Sequence, residues 1–173
     1  MRNPLQLLFL CALVMYSSCK VSNPGRIETM AARKAKKVTI GGKDWKNPVP
    51  DNSEAVGIGA RAFRQQCQVC HGLDGHNTGV PFADRMSPPV ADLGGEDTQA
   101  YSDGQLKWII ENGIRFTGMP GWNGLLKDDE MWYVVRFMRH LPQQGSLGIP
   151  SIFQQSQEQE LMTKGTKTQM KVR

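Results

Sequence analysis

The segment Cys67-Gln68-Val69-Cys70-His71 restricts most strongly what this 173-residue chain can fold into. In a Cys-x-x-Cys-His motif, two thiols can add across the vinyl groups of haem, and the histidine that follows can bind the iron. The other cysteines, Cys11 and Cys19, belong to an N-terminal apolar run, so no separated pair remains for a disulfide framework. The motif predicts one covalently attached haem c per chain, with Cys67 and Cys70 as attachment points and His71 as an axial iron ligand.

Two other uses of a Cys-x-x-Cys pair fit this sequence less well. A redox-active pair occurs in a thioredoxin-like βαβ context, and no strand pattern precedes Cys67. A structural zinc site needs four ligands, and the chain has no second Cys/His pair at zinc spacing. Haem attachment is the interpretation that remains.

Apolar spacing predicts three helices around this motif. The first, Ser53–Gln66, can be capped by Asp51 or by Ser53 itself. The second, Ser102–Asn112, opens with a capping-box pattern and stops at a glycine. The third, about Asp128–Leu141, has its acids in the first turn, as the helix dipole favours. Inward stripes are predicted at Leu106, Ile109 and Ile110 in the second helix and at Met131, Val134, Val135 and Met138 in the third.

About 35 residues rich in Gly, Pro, Asp and Asn separate the first two of these helices. So long a stretch without periodicity is unusual in a small domain. It becomes reasonable if the stretch wraps a rigid apolar body such as haem.

Two segments make the chain resemble the class I c-type cytochromes over about residues 51–142. Gly59-x-x-x-Phe63-x-x-x-Cys67-x-x-Cys70-His71 is similar to the first helix and haem motif of that family, and Gly118-Met119-Pro120-Gly121-Trp122 to its methionine loop. The resemblance implies an all-α class I cytochrome c fold, with three to four helices and long loops wrapped around one covalent haem. It also implies Met119 as the second axial iron ligand, opposite His71.

The same resemblance assigns several supporting roles. Val134 and Phe137 would cross Gly59, and a proline carbonyl, from Pro88 or Pro89, would accept a hydrogen bond from His71. Met86, His76 and His140 are alternatives to Met119 as the distal ligand. Further residues that could meet haem edges or propionates are Trp108, Arg115 and Trp122. Lys127 stands where relatives often carry a serine cap, so Asp128 would cap the third helix or its first turn would fray.

Charge and composition divide the chain into four regions. Residues 1–19 read as an export signal with an apolar core of twelve, Leu5–Tyr16, which is short for a membrane span. Its end at Cys19 resembles a bacterial lipoprotein signal; ordinary cleavage is the alternative. Residues 20–50 carry eight Lys/Arg against two acids and read as a basic flexible linker, residues 51–142 as the cytochrome domain and residues 143–173 as a polar tail.

The predicted function is single-electron transfer by a periplasmic or otherwise extracytoplasmic carrier, which is not itself an enzyme. The partners would be a quinol-oxidising complex, a dehydrogenase or a terminal oxidase of a respiratory chain, with a membrane tether through a lipidated Cys19. The central region is acidic, with eight Lys/Arg against twelve acids, which argues against nucleic acid as a partner. Two alternatives are the haem subunit of a periplasmic dehydrogenase complex and a five-coordinate haem sensor or peroxidase-like protein.

Overall fold

The computed structural model describes residues 25–155, without the side chains of residues 32, 33, 36 and 37. The predicted export signal and Cys19 therefore lie outside the described residues, as do residues 156–173. Within the described range the regular elements are helical: α1 Arg26–Ile40, α2 Ser53–Gln66, α3 Gln68–His71, a 3₁₀ turn Ala83–Arg85, α4 Glu96–Gln99, α5 Asp103–Asn112 and α6 Asp128–Arg139. Residues 151–155 are also helical. The predicted all-α class is confirmed for the described residues.

The ends of α2 and α5 follow local sequence signals. Asn52, and not Asp51 or Ser53, caps α2 by accepting a hydrogen bond from the Ala55 amide at 2.8 Å. Ser102 caps α5 in a complete capping box with Gln105, as predicted. Gly113 ends α5 with a φ of +68°, a backbone conformation that glycine adopts at little cost.

The third predicted helix, α6, begins at Asp128 and is two residues shorter than expected at its end. Lys127 occupies the cap position without a side-chain cap. Its backbone amide donates to Glu130 Oε2 at 2.8 Å, so half of a capping box is formed. The Glu130 amide, from which a serine cap would accept, donates instead to Asp129 Oδ1 at 3.0 Å.

Helices α2 and α6 cross in direct contact at Gly59. A methyl group added there would lie 2.7 Å from the carbonyl carbon of Tyr133 and 3.0 Å from Phe137 Cβ. Phe137 lies at the crossing, as the sequence predicts. The second crossing residue is Tyr133 and not the predicted Val134, because the close approach is to the Tyr133 backbone carbonyl. The Phe63 and Phe137 rings, with centroids 5.0 Å apart, pack beside the crossing.

The core lies between these helices and α5. The predicted inward residues of α6 are all buried, and Leu106 and Ile110 of α5 join them. Lys107 is also buried and ties α5 to the start of α6, with Nζ 3.1 Å from Glu111 and 2.6 Å from Asp128. Burial alone would lower the pKa of Lys107, but the two carboxylates outweigh it and raise that pKa.

The long loop after α3 is held by a buried carboxylate. Asp74 is fully buried and accepts hydrogen bonds from Thr78 Oγ1 at 2.6 Å, the His76 amide at 3.0 Å and the Gly145 amide at 2.7 Å. Burial favours a raised pKa for Asp74, but these hydrogen bonds prevail and lower it. The bond to Gly145 fastens the segment after α6 onto this loop.

The structure differs from the sequence-based expectation of a flexible linker at residues 20–50. Residues 26–40 form α1, and residues 40–50 pack on the domain. Val49 is buried and its carbonyl accepts from Arg136 at 2.6 Å, while the Asn47 amide group donates to the Trp132 carbonyl at 3.1 Å. The basic composition hid these contacts because most of them use backbone atoms.

Candidate cofactor site

A cavity of about 660 Å³ opens beside α3. Its walls are mainly apolar and come from α2, α5, α6 and the loops that follow α3 and α5. All four residues that the sequence predicts as haem attachment points or ligands line it: Cys67, Cys70, His71 and Met119. The fold thus brings the whole predicted set to one space, although Met119 follows His71 by 48 positions.

The two cysteines are placed by the joint between α2 and α3. Cys67 ends α2, and its carbonyl accepts from the Cys70 amide at 3.1 Å and the His71 amide at 2.9 Å. Burial, with a contribution from Cys70, raises the pKa of Cys67 to about 12, and burial also raises the pKa of Cys70. Both are free thiols that stay protonated near neutral pH. A redox-active pair needs a lowered thiol pKa, so the raised pKa values argue against a redox-active pair.

His71 is buried and oriented by a backbone carbonyl. Its Nδ1 lies 3.2 Å from the Ala91 oxygen, so Nδ1 donates there and Nε2 keeps the lone pair that a metal needs. Burial lowers the pKa of His71, partly offset by this hydrogen bond. The imidazole is therefore held neutral, which is its metal-binding form.

The expectation that Pro88 or Pro89 supplies this carbonyl is wrong. Both prolines line the cavity. The carbonyl that accepts from His71 belongs to Ala91, which is three residues after Pro88 and two after Pro89. Three hydrogen bonds hold that part of the loop: Asn77 Nδ2 donates to the Val90 carbonyl at 3.0 Å, the Val90 amide to the Ala83 carbonyl at 3.0 Å, and the Leu93 amide to the Gly75 carbonyl at 2.9 Å. The role of Ala91 could not be predicted from the sequence because a backbone acceptor has no side-chain signature.

Met119 lies in a tight loop directly after α5. Its amide donates to Thr117 Oγ1 at 3.1 Å, and its carbonyl accepts from the Ile114 amide at 3.1 Å. The loop returns against the end of α5: a methyl group at Gly113 would lie 2.6 Å from the amide nitrogen of Gly121. This folding gives the Met119 backbone little freedom.

The alternatives to Met119 as an iron ligand differ in whether their side chains line the cavity. His76 Nδ1 lies 2.8 Å from Asp92, and His140 Nε2 lies 2.7 Å from Asp51. Neither histidine lines the cavity, whereas Met86 does. The methyl end of the Met86 side chain packs against Gly118, next to Met119. Met86 is therefore the remaining rival on geometric grounds.

Of the three further residues that the sequence singles out, only Trp122 lines the cavity. The Trp108 ring instead faces Lys43, whose Nζ lies 4.7 Å from its centroid. Arg115 is exposed. Ile40 and Gly41 also line the cavity, although they belong to the segment expected to be a linker. No local pattern marks them.

These residues fit covalently bound haem. The apolar walls suit a flat macrocycle, while the two protonated thiols, neutral imidazole and thioether match the attachment and ligation chemistry of haem c. Among the described residues, no group of three or more His, Cys, Asp or Glu side chains could hold a metal ion by itself.

Comparisons with known proteins follow the same direction. The family model "Cytochrome C oxidase, cbb3-type, subunit III" matches residues 54–138. Cytochrome c550 of Pseudomonas aeruginosa is 23% identical over 103 residues, which cover 56% of this chain and 67% of that protein.

Two solved structures are similar to the chain. One is from the reducing HAO-like protein complex of Kuenenia stuttgartiensis, with 24% identity and a TM-score of 0.47 over 56% of this chain. The chain spans about half of that relative, 47% of its length. The other is cytochrome cL of the marine methylotroph Methylophaga aminisulfidivorans, with 20% identity, a TM-score of 0.42 and coverage of 72% of this chain and 71% of that chain.

The matched range contains α2, the Cys-x-x-Cys-His segment, the Met119 loop and nearly all of α6. It also contains the helix crossing at Gly59. Residues 54–138 therefore form a class I c-type cytochrome domain, and this family consists of haem proteins that transfer electrons.

Proposed function

We propose that this protein is a monohaem, extracytoplasmic carrier of single electrons. Cys67 and Cys70 would attach haem c by adding their S–H groups across its two vinyl groups, and His71 and Met119 would bind its iron. The observation that carries the proposal is the convergence of these four residues on one largely apolar cavity.

Bound haem supplies an iron that gains and loses one electron. The chain's own residues decide what that iron can do. The Ala91 carbonyl fixes the His71 ring and increases its basicity as a ligand. Met119 offers a soft thioether, which favours the reduced metal and raises the reduction potential. If His71 and Met119 both bound the iron, no site would be left on it for a substrate, so these residues would favour electron transfer over oxygen or peroxide chemistry.

The natural contact surface for a redox partner is the rim of the cavity at the attachment motif. Val69 lines the cavity and is 40% exposed, so haem bound in the cavity would lie close to the surface there. Small, transient contacts suit rapid exchange. Candidate partners are a quinol-oxidising complex, a dehydrogenase or a terminal oxidase of a respiratory chain.

Export and a membrane tether complete the proposal. Residues 1–19 would be the export signal, with Cys19 as the lipidated residue, followed by a basic segment to residue 50, the cytochrome domain at 51–142 and a polar tail at 143–173. The structure offers support in α1, which has five Lys/Arg and one acid. Its Ile27, Met30 and Val38 are 84%, 65% and 85% exposed. Such a helix suits the surface of an anionic bilayer.

Among the described residues, no helix combines the length and apolarity needed to cross a bilayer.

The test of the carrier function uses mature, full-length protein. A pyridine haemochrome assay with mass spectrometry should report one haem joined by two thioethers, and the ferric protein should show the weak near-infrared band of methionine ligation. Met119→Ala should abolish that band and allow CO binding, whereas the matched Met86→Ala should change neither. A wild-type protein without haem contradicts the proposal, and a wild-type protein that is high-spin and binds CO readily favours a sensor or peroxidase-like role.

The tether is tested separately by flotation with vesicles. Cys19→Ser protein should still bind vesicles containing anionic phosphatidylglycerol, through α1, and not vesicles of neutral phosphatidylcholine. Replacing Ile27 and Val38 with serine should remove that binding. Equal binding to both vesicle types, or none by the lipidated protein, would exclude a role for α1 at the membrane.

A further inference from the structure

Part of the cavity wall lies outside the region matched by the cytochrome family model. The match covers residues 54–138, but Ile40 and Gly41 also line the cavity. Ile40 is only 2% exposed, although the Val38 side chain two residues earlier is 85% exposed. The helix therefore ends by turning one apolar side chain inward at the cavity.

We propose that residues 40–45, here called the strap, are part of the cofactor site: they close its edge, exclude water from it and thereby raise the reduction potential. This inference rests on the proposed function, because it assigns a role toward the haem. It adds residues that lie before the cytochrome domain, in a segment whose composition alone suggests a linker.

Polar contacts fix the strap to the start of α5. Ser102, the cap of α5, donates its hydroxyl to the Lys43 carbonyl at 3.0 Å. Lys43 Nζ donates to the Thr39 carbonyl at 2.8 Å and lies 4.7 Å from the centre of the Trp108 ring. The same lysine thus connects α1, the strap and α5, the last through a cation–π contact with Trp108.

Gly104 makes this close contact sterically feasible. It is buried in the first turn of α5, and a methyl group there would lie 2.7 Å from the Trp45 amide nitrogen and 3.0 Å from Trp45 Cβ, and closer still to the Lys43 carbonyl. Any side chain at position 104 must therefore push the strap away from α5. Gly104 itself does not line the cavity, so its substitution moves the strap without altering the cavity wall directly.

The expected consequence follows from solvent access. The apolar shell around a metal controls water entry and the local dielectric, and both set the reduction potential. The oxidised state carries one more positive charge than the reduced state, so admitting water stabilises the oxidised state. Opening the strap should therefore shift the potential to lower values.

The experiment perturbs the strap from two sides in the haem-loaded, full-length protein. Ile40→Ser places a hydroxyl in the cavity wall, and Gly104→Ala displaces the strap from the opposite side. Gly57→Ala is the matched control for a helical glycine, because its added methyl would meet nothing nearer than Arg61 Nη1 at 4.0 Å. Ile152→Ser, at a 67% exposed isoleucine, controls for the serine substitution.

Three quantities are measured: haem content, equilibrium reduction potential and the rate of proteolytic cleavage within residues 41–50. Ile40→Ser and Gly104→Ala should keep their haem, show a lower potential and be cleaved faster, while both controls match the wild type. Unchanged potentials in both strap variants overturn the inference, whatever the cleavage rates. A wild-type protein that lacks haem overturns the proposed function instead, so the two failures are distinguishable.

Discussion

Replacing Gly59 with alanine should separate the two helices that form the centre of the fold. The added methyl would lie 2.7 Å from the Tyr133 carbonyl carbon and 3.0 Å from Phe137 Cβ, whereas carbon atoms prefer about 3.5–4.0 Å. Because one obstacle is backbone, no rotamer change can relieve it, and α2 and α6 must move apart. Overpacking of this kind costs about 1–3 kcal/mol, and loosening the Phe63–Phe137 ring pair adds about 0.5–1.5 kcal/mol.

Alanine also has an intrinsic helix preference over glycine of about 1 kcal/mol, so the net loss of unfolding free energy should be about 2 kcal/mol. Gly57→Ala measures that preference alone, since it lies in the same helix with open space around its Cβ position. It should be stabilised by about 1 kcal/mol. The two variants should then differ by about 3 kcal/mol, which is a difference of about 1–3 M in urea midpoint.

The assay is urea unfolding of the haem-loaded proteins, followed by far-ultraviolet circular dichroism. Equal midpoints for the two alanine variants would refute the reasoning, because they would show that α6 yields to the methyl at Gly59 without cost. A parallel loss of the near-infrared ligand band in Gly59→Ala alone would show that the helix separation reaches the cofactor site.

Three further predictions follow from buried polar contacts. Asp74→Asn should remove stability that the wild type has above the ordinary aspartate pKa, because the pKa of Asp74 is lowered in the folded protein. Wild-type stability should therefore fall as the pH drops below about 4, and the stability of the variant should fall less. Thermal unfolding from pH 2 to 7 measures both. Lys107→Met should cost about 1 kcal/mol in urea unfolding, because its two carboxylate partners can be rehydrated. Ser102→Ala should cost about 1 kcal/mol for the lost helix cap and should also speed cleavage of the strap; unchanged cleavage would show that its bond to Lys43 is dispensable.

Features set by a few neighbouring residues could be predicted from the sequence. The Ser102–Gln105 capping box and the stop at Gly113 appear in the structure because both depend on contacts within one helix turn. The sequence predicts the cap of α2 at Asp51 or Ser53, whereas the structure uses Asn52 between them. Asp51 is unavailable because it lies 3.1 Å from Arg136 and 2.7 Å from His140, and these are contacts between distant parts of the chain.

The cofactor site likewise contains residues that could be predicted and residues that could not. The predicted attachment and ligand residues all line one cavity, and they could be identified because their residue types and spacing indicate haem chemistry. The acceptor for His71 is a backbone carbonyl two residues beyond the expected prolines, at Ala91, and only the folded loop determines which carbonyl points inward. Ile40 was missed for a related reason: it is one buried side chain at the end of an otherwise exposed, basic helix.

The contacts that join both ends of the domain also set the order in which it can form. Asn47 bonds to Trp132 across 85 positions and Val49 to Arg136 across 87. A polypeptide that emerges N-terminus first from a ribosome or a translocation pore cannot lock these pairs until its last long helix has appeared. Throughout that interval the thiols at positions 67 and 70 are exposed to solvent, and docking of the final helix then adds Val134 and Met138 to the cavity wall beside them.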